Sequence, residues 1–473
     1  MLQRIISIVL LATVLLVACA PAVTPVPVAP TVAPVEPTAV PAELTIEPGP
    51  EPFKLTWWSE YGSLCCSDTR DDLTPDGINQ PGDLGRWIIE EWHRLYPEYD
   101  HVEIEQIIAQ YGEDAEVELD TLIAAGEAPN ILEGYGGRMG TYKSLGVPLE
   151  DYYTKEMTAD FLPGRFESLF DEDGHIRMAS CLGSFYYPVI NVALFERAGI
   201  EVPESWAVVT WEELEKWGQA IQALDEDAYL ACAFAVKPTA AEWMWIPWAS
   251  AGVSMYENND FTQIAFNRPQ AVGVFEWLMD FELRGYIAPK PSGLSVFDCI
   301  DYFKQGKTAI FLAQLGSARA VMNAAVEAGL LTEPFEIRPI LTFGTTEGIT
   351  PLVVAGSGAA GAIVTEGTPE EYREVAFHFA HYVMTFPFAT EYSLLMPYLK
   401  SQIERHAMPH PEEVFVVDYM VEHGIAEVGF TRPAFAEIRS LWSETITAVF
   451  LGVMTPEQAL ADFEQRAGEV IAK

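Results

Sequence analysis

The sequence predicts an α/β protein whose doubly wound, mostly parallel sheets carry helices on both faces. A β-α-β-α-β rhythm runs from Phe53 to Leu132, and the same alternation restarts at Tyr186. Residues 53–473 are also long enough for two compact domains.

The elements follow from local pattern. Phe53-Lys-Leu-Thr-Trp-Trp alternates and is β-rich, so it reads as a first strand. A polar insertion rich in Gly, Pro and Asp occupies Gly62 to Asp83. Leu84 to Tyr96 then places Trp87, Ile88, Trp92 and Leu95 at helical spacing until Pro97 stops it. Val102 to Ile108 is a second strand, Glu116 to Ala125 an amphipathic helix closed by Gly126, and Asn130-Ile-Leu a short buried strand. Helices are expected at Asn191–Ala198, at Trp211–Leu224 behind an N-capping Thr210, and at Pro269–Arg284. Phe303 to Leu312 reads as a helix end, a turn and a strand. Beyond the Gly-rich Gly356 to Gly361 the chain is nearly all helical, most clearly at Pro369–Met384, Phe435–Phe450 and Pro456–Ile471.

Arg4 leads into an apolar run, Ile5 to Val17, that is too short to span a bilayer and ends in small residues, as a secretory signal does. Leu16-Val17-Ala18-Cys19 resembles the bacterial lipoprotein box, which implies cleavage after residue 18 and a lipid on Cys19. From Pro21 to Pro52 the chain is mostly Pro, Val, Ala, Thr and Glu with no packing period, the composition of an extended stalk. At about 3.1 Å per residue such a stalk reaches up to ~100 Å.

The formal net charge of −42 argues against nucleic acid and against anionic lipid, because no basic face is left to displace counterions from phosphates. Cys65, Cys66, Cys181, Cys232 and Cys299 are an odd set in an oxidising compartment, so one or two disulfides and at least one unpaired thiol are expected. Spacing does not fix the connectivity. The histidines show no His-Glu-x-x-His pattern, and His406 and His410 flank Met408-Pro409, which cannot hold a helix. Gly356-Ser-Gly-Ala-Ala-Gly lacks the Gly-Lys-Ser of a phosphate loop and reads as a hinge. No metal, no cofactor and no catalytic residue is expected.

Further stretches resemble the family-1 extracellular solute-binding proteins of bacterial ABC importers, the group that includes the maltose-binding proteins. The first is Leu122-Ile-Ala-Ala-Gly-Glu-Ala-Pro-Asn-Ile with Arg138, Tyr142, Leu145-Gly146 and Leu149-Glu-Asp. The second is Tyr187 to Asn191 with Leu194-Phe-Glu-Arg-Ala-Gly-Ile, Pro203, Trp206 and Thr210-Trp-Glu-Glu-Leu. Phe303 to Phe311, and Gly452 with Thr455-Pro-Glu-Gln-Ala-Leu, complete the order. Asn130 stands where the family usually has Asp, Gly137 replaces a frequent carboxylate, and the Gly62–Asp83 insertion is unusual.

The resemblance implies the two-lobe, type II periplasmic-binding-protein fold, with a ligand cleft at the hinge. The expected layout is a signal peptide at 1–18, lipidated Cys19 and stalk at 19–52, lobe 1 at 53–180, lobe 2 at 185–307, a return to lobe 1 at 308–360, and lobe 2 with C-terminal helices at 361–473. Crossings are expected near Cys181–Phe185, Thr308–Ala313 and Gly356–Gly361. The implied activity is capture of a solute, a mono- or oligosaccharide, for delivery to ABC permease subunits by a monomer anchored outside the cytoplasm.

Tryptophan faces suit the C–H faces of pyranose rings, each stacked ring adding ~0.5–1.5 kcal/mol beyond area burial. Trp57 and Trp58 at the first strand's end, with Glu60 and Tyr61 behind them, are therefore candidate ligand contacts, and so are Trp243, Trp245 and Trp248. Arg138 matches the family's ligand-contacting arginine, and its planar guanidinium grips a hydroxyl pair or a carboxylate at two points. Tyr135 and Gln314 join the set. Two other classes stay open: a secreted glycoside hydrolase, since 69 acidic residues make a suitably spaced pair inevitable by chance, and a surface carbohydrate adhesin without transport.

Overall fold

A computed structural model describes residues 53–60, 83–109, 113–162, 165–171, 173–224, 227–236, 241–257, 260–385, 396–405, 411–430, 432 and 434–472. The leader, Cys19, the proline-rich stretch, Tyr61, Cys65, Cys66, His406, His410 and nearly all of the 62–83 insertion lie outside the described residues. None of the described helices is long and apolar enough to cross a membrane.

Twelve strands are described: β1 Phe53–Ser59, β2 Val102–Ile108, β3 Ile131–Tyr135, β4 Ala179–Asn191, β5 Tyr229–Ala231, β6 Tyr256–Glu257, β7 Asp260–Ile264, β8 Thr308–Ala313, β9 Ile337–Pro339, β10 Val353–Val364, β11 Met396–Pro397 and β12 Ile425–Glu427. Ten of them join one sheet with the path β2-β1-β3-β10-β4-β8-β5. β1 runs parallel to β2 and β3, and β5 parallel to β8, as doubly wound βαβ units require. The long strands β4 and β10 instead pair antiparallel with each other and with their neighbours β8 and β3.

β1 is an inner strand covered on both sides, so its alternating side chains feed two different layers. Leu55 and Trp57 join a core with Ile88 and Trp92 of helix Asp83–Leu95 and Phe379 of helix Arg373–Thr385. Phe379 meets Trp57 edge-on with 5.1 Å between ring centres. Trp58 turns the other way, into a small cluster with Leu119, Leu132, Met139 and Ile363. Helix Arg373–Thr385 thus packs with the first strands, whereas the expected layout grouped it with the C-terminal helices; its apolar face covers Trp57 and Trp92. A second large core gathers Trp211, Trp248, Phe275 and Trp442 beside helices Phe435–Phe450 and Pro456–Ile471.

Helix Trp211–Gln222 begins with the capping box that Thr210 announced: Glu213 N donates to Thr210 Oγ1 at 3.3 Å, and Thr210 N to Glu213 Oε2 at 2.8 Å. Cys232, just past β5, is bonded to Cys299 of helix Val296–Lys304, while Cys181 is a buried free thiol. Residues 356–361, expected to act as a hinge, lie inside β10, opposite Leu182–Ser184 of β4, where the register shifts between Ser357 and Ala360 and again before Ala362. Glycine at 356 has a packing reason as well: any Cβ there would collide with the Phe430 ring.

Candidate functional site

Strands β1, β2 and β3 are parallel, so their carboxyl ends lie together, the place where open α/β sheets receive ligands. Glu60 N donates to Glu133 O at 3.2 Å and Ala109 N to Ser59 O at 3.1 Å, which fastens the three ends side by side. Ser59, Glu60 and Glu133 are all buried there. The Glu60 carboxylate crosses the face of Gly134, where even a methyl group would strike it. Two carboxylates are thus buried together at one strand mouth.

Helix Gly136–Tyr142 starts immediately after β3 and meets helix Phe435–Phe450 from the second core. The latter carries Arg439, whose guanidinium lies 5.1 Å from the Phe435 ring centre and 3.7 Å from buried Glu242. Glu242 and Trp243 belong to the short helix Ala241–Trp245, which packs against helix Phe435–Phe450. Helix Phe435–Phe450 thereby touches both the helix that follows β3 and the short helix that carries its partner acid Glu242. Ser59 Oγ, Ser184 Oγ and Trp245 Nε1 are buried and make no hydrogen bond among the described residues.

The expected aromatic plates are redistributed. Trp57, Trp58 and Trp248, expected at the ligand, are fully buried core side chains. The inner position of β1 encloses the first two, and Trp248 is locked edge-on between Phe275 and Trp442 with its indole N–H given to Ala271 O at 3.0 Å. Trp245 likewise sits inside the second core. Trp243 alone of its cluster keeps exposed surface, edge-on to Phe311 and tilted against Tyr186. Tyr135 ends β3 and Arg138 lies in the first turn of helix Gly136–Tyr142; their side chains, and all of Tyr61, are outside what is described.

Gln314 is buried at the start of helix Leu315–Glu327, beside a second polar cluster. There the Tyr187 hydroxyl donates to the Glu413 carboxylate and accepts from Leu315 N at 3.0 Å. Burial pushes the Glu413 carboxyl up to about 7, Glu412 adds to the rise, and the Tyr187 hydrogen bond and Arg319 oppose it. The departure at Asn130 is structural: its Oδ1 accepts from Thr56 N at 2.9 Å and ties β3 to β1 at the end opposite Glu133. Sequence reasoning missed Glu133, Glu242 and Arg439. A lone acid within the apolar runs Ile131–Tyr135 and Ala241–Trp245 was the available signal for the first two.

The profile of the bacterial extracellular solute-binding protein family matches residues 85–385. The chain belongs to that family. Solved structures repeat the two-lobed fold of this solute-binding protein over nearly its whole length. An ABC substrate-binding protein of Listeria monocytogenes, Lmo0181, in complex with cycloalternan, is 18% identical, with a TM-score of 0.62 over 89% of this chain and 100% of that one. The GacH receptor of Streptomyces glaucescens, seen unliganded and with acarbose, gives 15% identity, a TM-score of 0.62 and coverage of 89% and 99%. The maltose-bound T. maritima MalE3 gives 16%, 0.62, 88% and 99%. No match was found among curated protein sequences.

Proposed function

We propose that this solute-binding protein captures a carbohydrate between its lobes and delivers it to an ABC permease, held outside the cytoplasm by a lipid on Cys19 and spaced from the membrane by residues 21–52. The observation that supports the reading is the buried pair Glu60 and Glu133 at the strand ends, with helix Phe435–Phe450, which carries Arg439, touching both the helix that follows β3 and the short helix of Glu242 and Trp243. Carboxylates and a guanidinium match the paired hydroxyls of a sugar, and the accessible side of Trp243 offers a plate for a ring face. The relatives seen with cycloalternan, acarbose, laminaribiose and maltose bind saccharides on the same fold. No bond is broken in this cycle. Ligand contacts made better in the closed form shift the lobes toward closure, and the permease reads that difference.

The test is a thermal-shift screen with maltose, laminaribiose and cycloalternan, with chromatography of the sugar after incubation. A rise in melting temperature with unchanged sugar is expected. Trp243→Ala and Arg138→Ala should each weaken the best hit about tenfold, the equivalent of ~1.4 kcal/mol. Absence of stabilisation by every sugar, or appearance of hydrolysis products, overturns the reading.

A further inference from the structure

A cavity of about 850 Å³ opens elsewhere on the first core, between helices Asp83–Leu95 and Arg373–Thr385 and the segment around Glu150–Asp160. Its lining contains none of the strand-end residues Glu60, Glu133 or Trp243. Aromatic side chains dominate the walls: Trp87, Tyr96, Tyr99, Tyr152, Phe377 and Tyr382. Glu156, Asp160 and Glu374 stand among them beside Glu91, which Arg94 pairs, and among the described residues no lysine or arginine is in the lining.

Nearby cations are committed to protein partners. Arg94 Nε binds Glu91 at 2.7 Å, and Lys400 Nζ donates to Ala159 O at 2.7 Å. Two lining histidines add no positive charge at neutral pH. His378 accepts the Trp92 indole N–H at 3.1 Å, and burial lowers its pKa. His381 lies 3.6 Å from the Cys181 thiol, and burial pushes it down to about 4.

π-faces together with an excess of carboxylates attract a cation that also has apolar surface; a neutral molecule gains only from the rings, and an anion is repelled. We propose that this cavity is a second ligand site, selective for a small organic cation of the quaternary-ammonium or alkylamine class. The rings of Trp87 and Tyr152 supply cation–π contact, and Glu374 and Glu156 neutralise the charge from the rim.

Isothermal titration of the full chain with choline and with its uncharged isostere, 3,3-dimethylbutan-1-ol, tests this directly. Choline is expected to bind at least about tenfold more tightly than the isostere. Glu374→Gln, on an exposed helix position, should weaken choline about fivefold and leave the isostere unchanged, while Trp87→Ala weakens both. Equal binding of the two compounds, or no binding of choline, overturns the proposal. So does loss of choline binding in Glu60→Gln, which would move the cation to the strand-end site.

Discussion

At the scale of single residues, burial of one carboxyl makes a pH signature. Glu413 has an ordinary value of 4.5 and is raised to about 7 when folded, so across that window the folded chain keeps a proton that the unfolded chain has released. Stability is therefore greatest below the unfolded value and declines as pH climbs through the folded one, by about 3 kcal/mol in all. The melting temperature should fall between pH 5 and pH 8, and Glu413→Gln should flatten that fall and be the more stable protein at pH 8. A variant with the same slope as the parent would show that Arg319 and Tyr187 keep the carboxylate ionised. The contrast with Trp57 and Trp58 is instructive. Both carry the residue type that best suits a sugar ring, yet their strand position sends them to opposite interiors.

At the scale of elements, Gly134 positions Glu60 by having no side chain. Gly134→Ala should displace the Glu60 carboxylate and weaken solute binding about tenfold, while far-ultraviolet circular dichroism stays unchanged; undiminished affinity would remove Glu60 from the site. Elements with strong local punctuation are legible in the residues alone. Val102–Ile108, Pro269–Arg284, Phe435–Phe450 and Pro456–Ile471 have the ends that their pattern, proline or cap demands. Two helices are not legible in that way. Leu315–Glu327 is rich in small residues and begins at Gln314, which offers no side-chain cap, and Val414–His423, though within the stretch expected to be helical, opens on a valine-rich run without a side-chain cap to mark its start. The site is half legible for a related reason. Periodicity tells which face of β1 an indole takes only when it is known that both faces are covered, and the partnership of Glu242 with Arg439 spans nearly two hundred residues of chain.

At the scale of the whole molecule, the long-range covalent tie among the described residues is Cys232–Cys299, which closes a loop with a sequence separation of 67. On the chain-entropy account, removing it with Cys232→Ser and Cys299→Ser together should cost about 4 kcal/mol, measured by denaturant unfolding. A loss below about 1 kcal/mol would mean that the second core holds that loop unaided. Elsewhere cohesion rests on β4 and β10, which run through both principal cores as adjacent antiparallel strands. Their ladder is already irregular where Ser357 to Ala362 passes Gly183 and Leu182. A bend focused on those skipped rungs would break few inter-strand hydrogen bonds and would leave every rung above and below zipped.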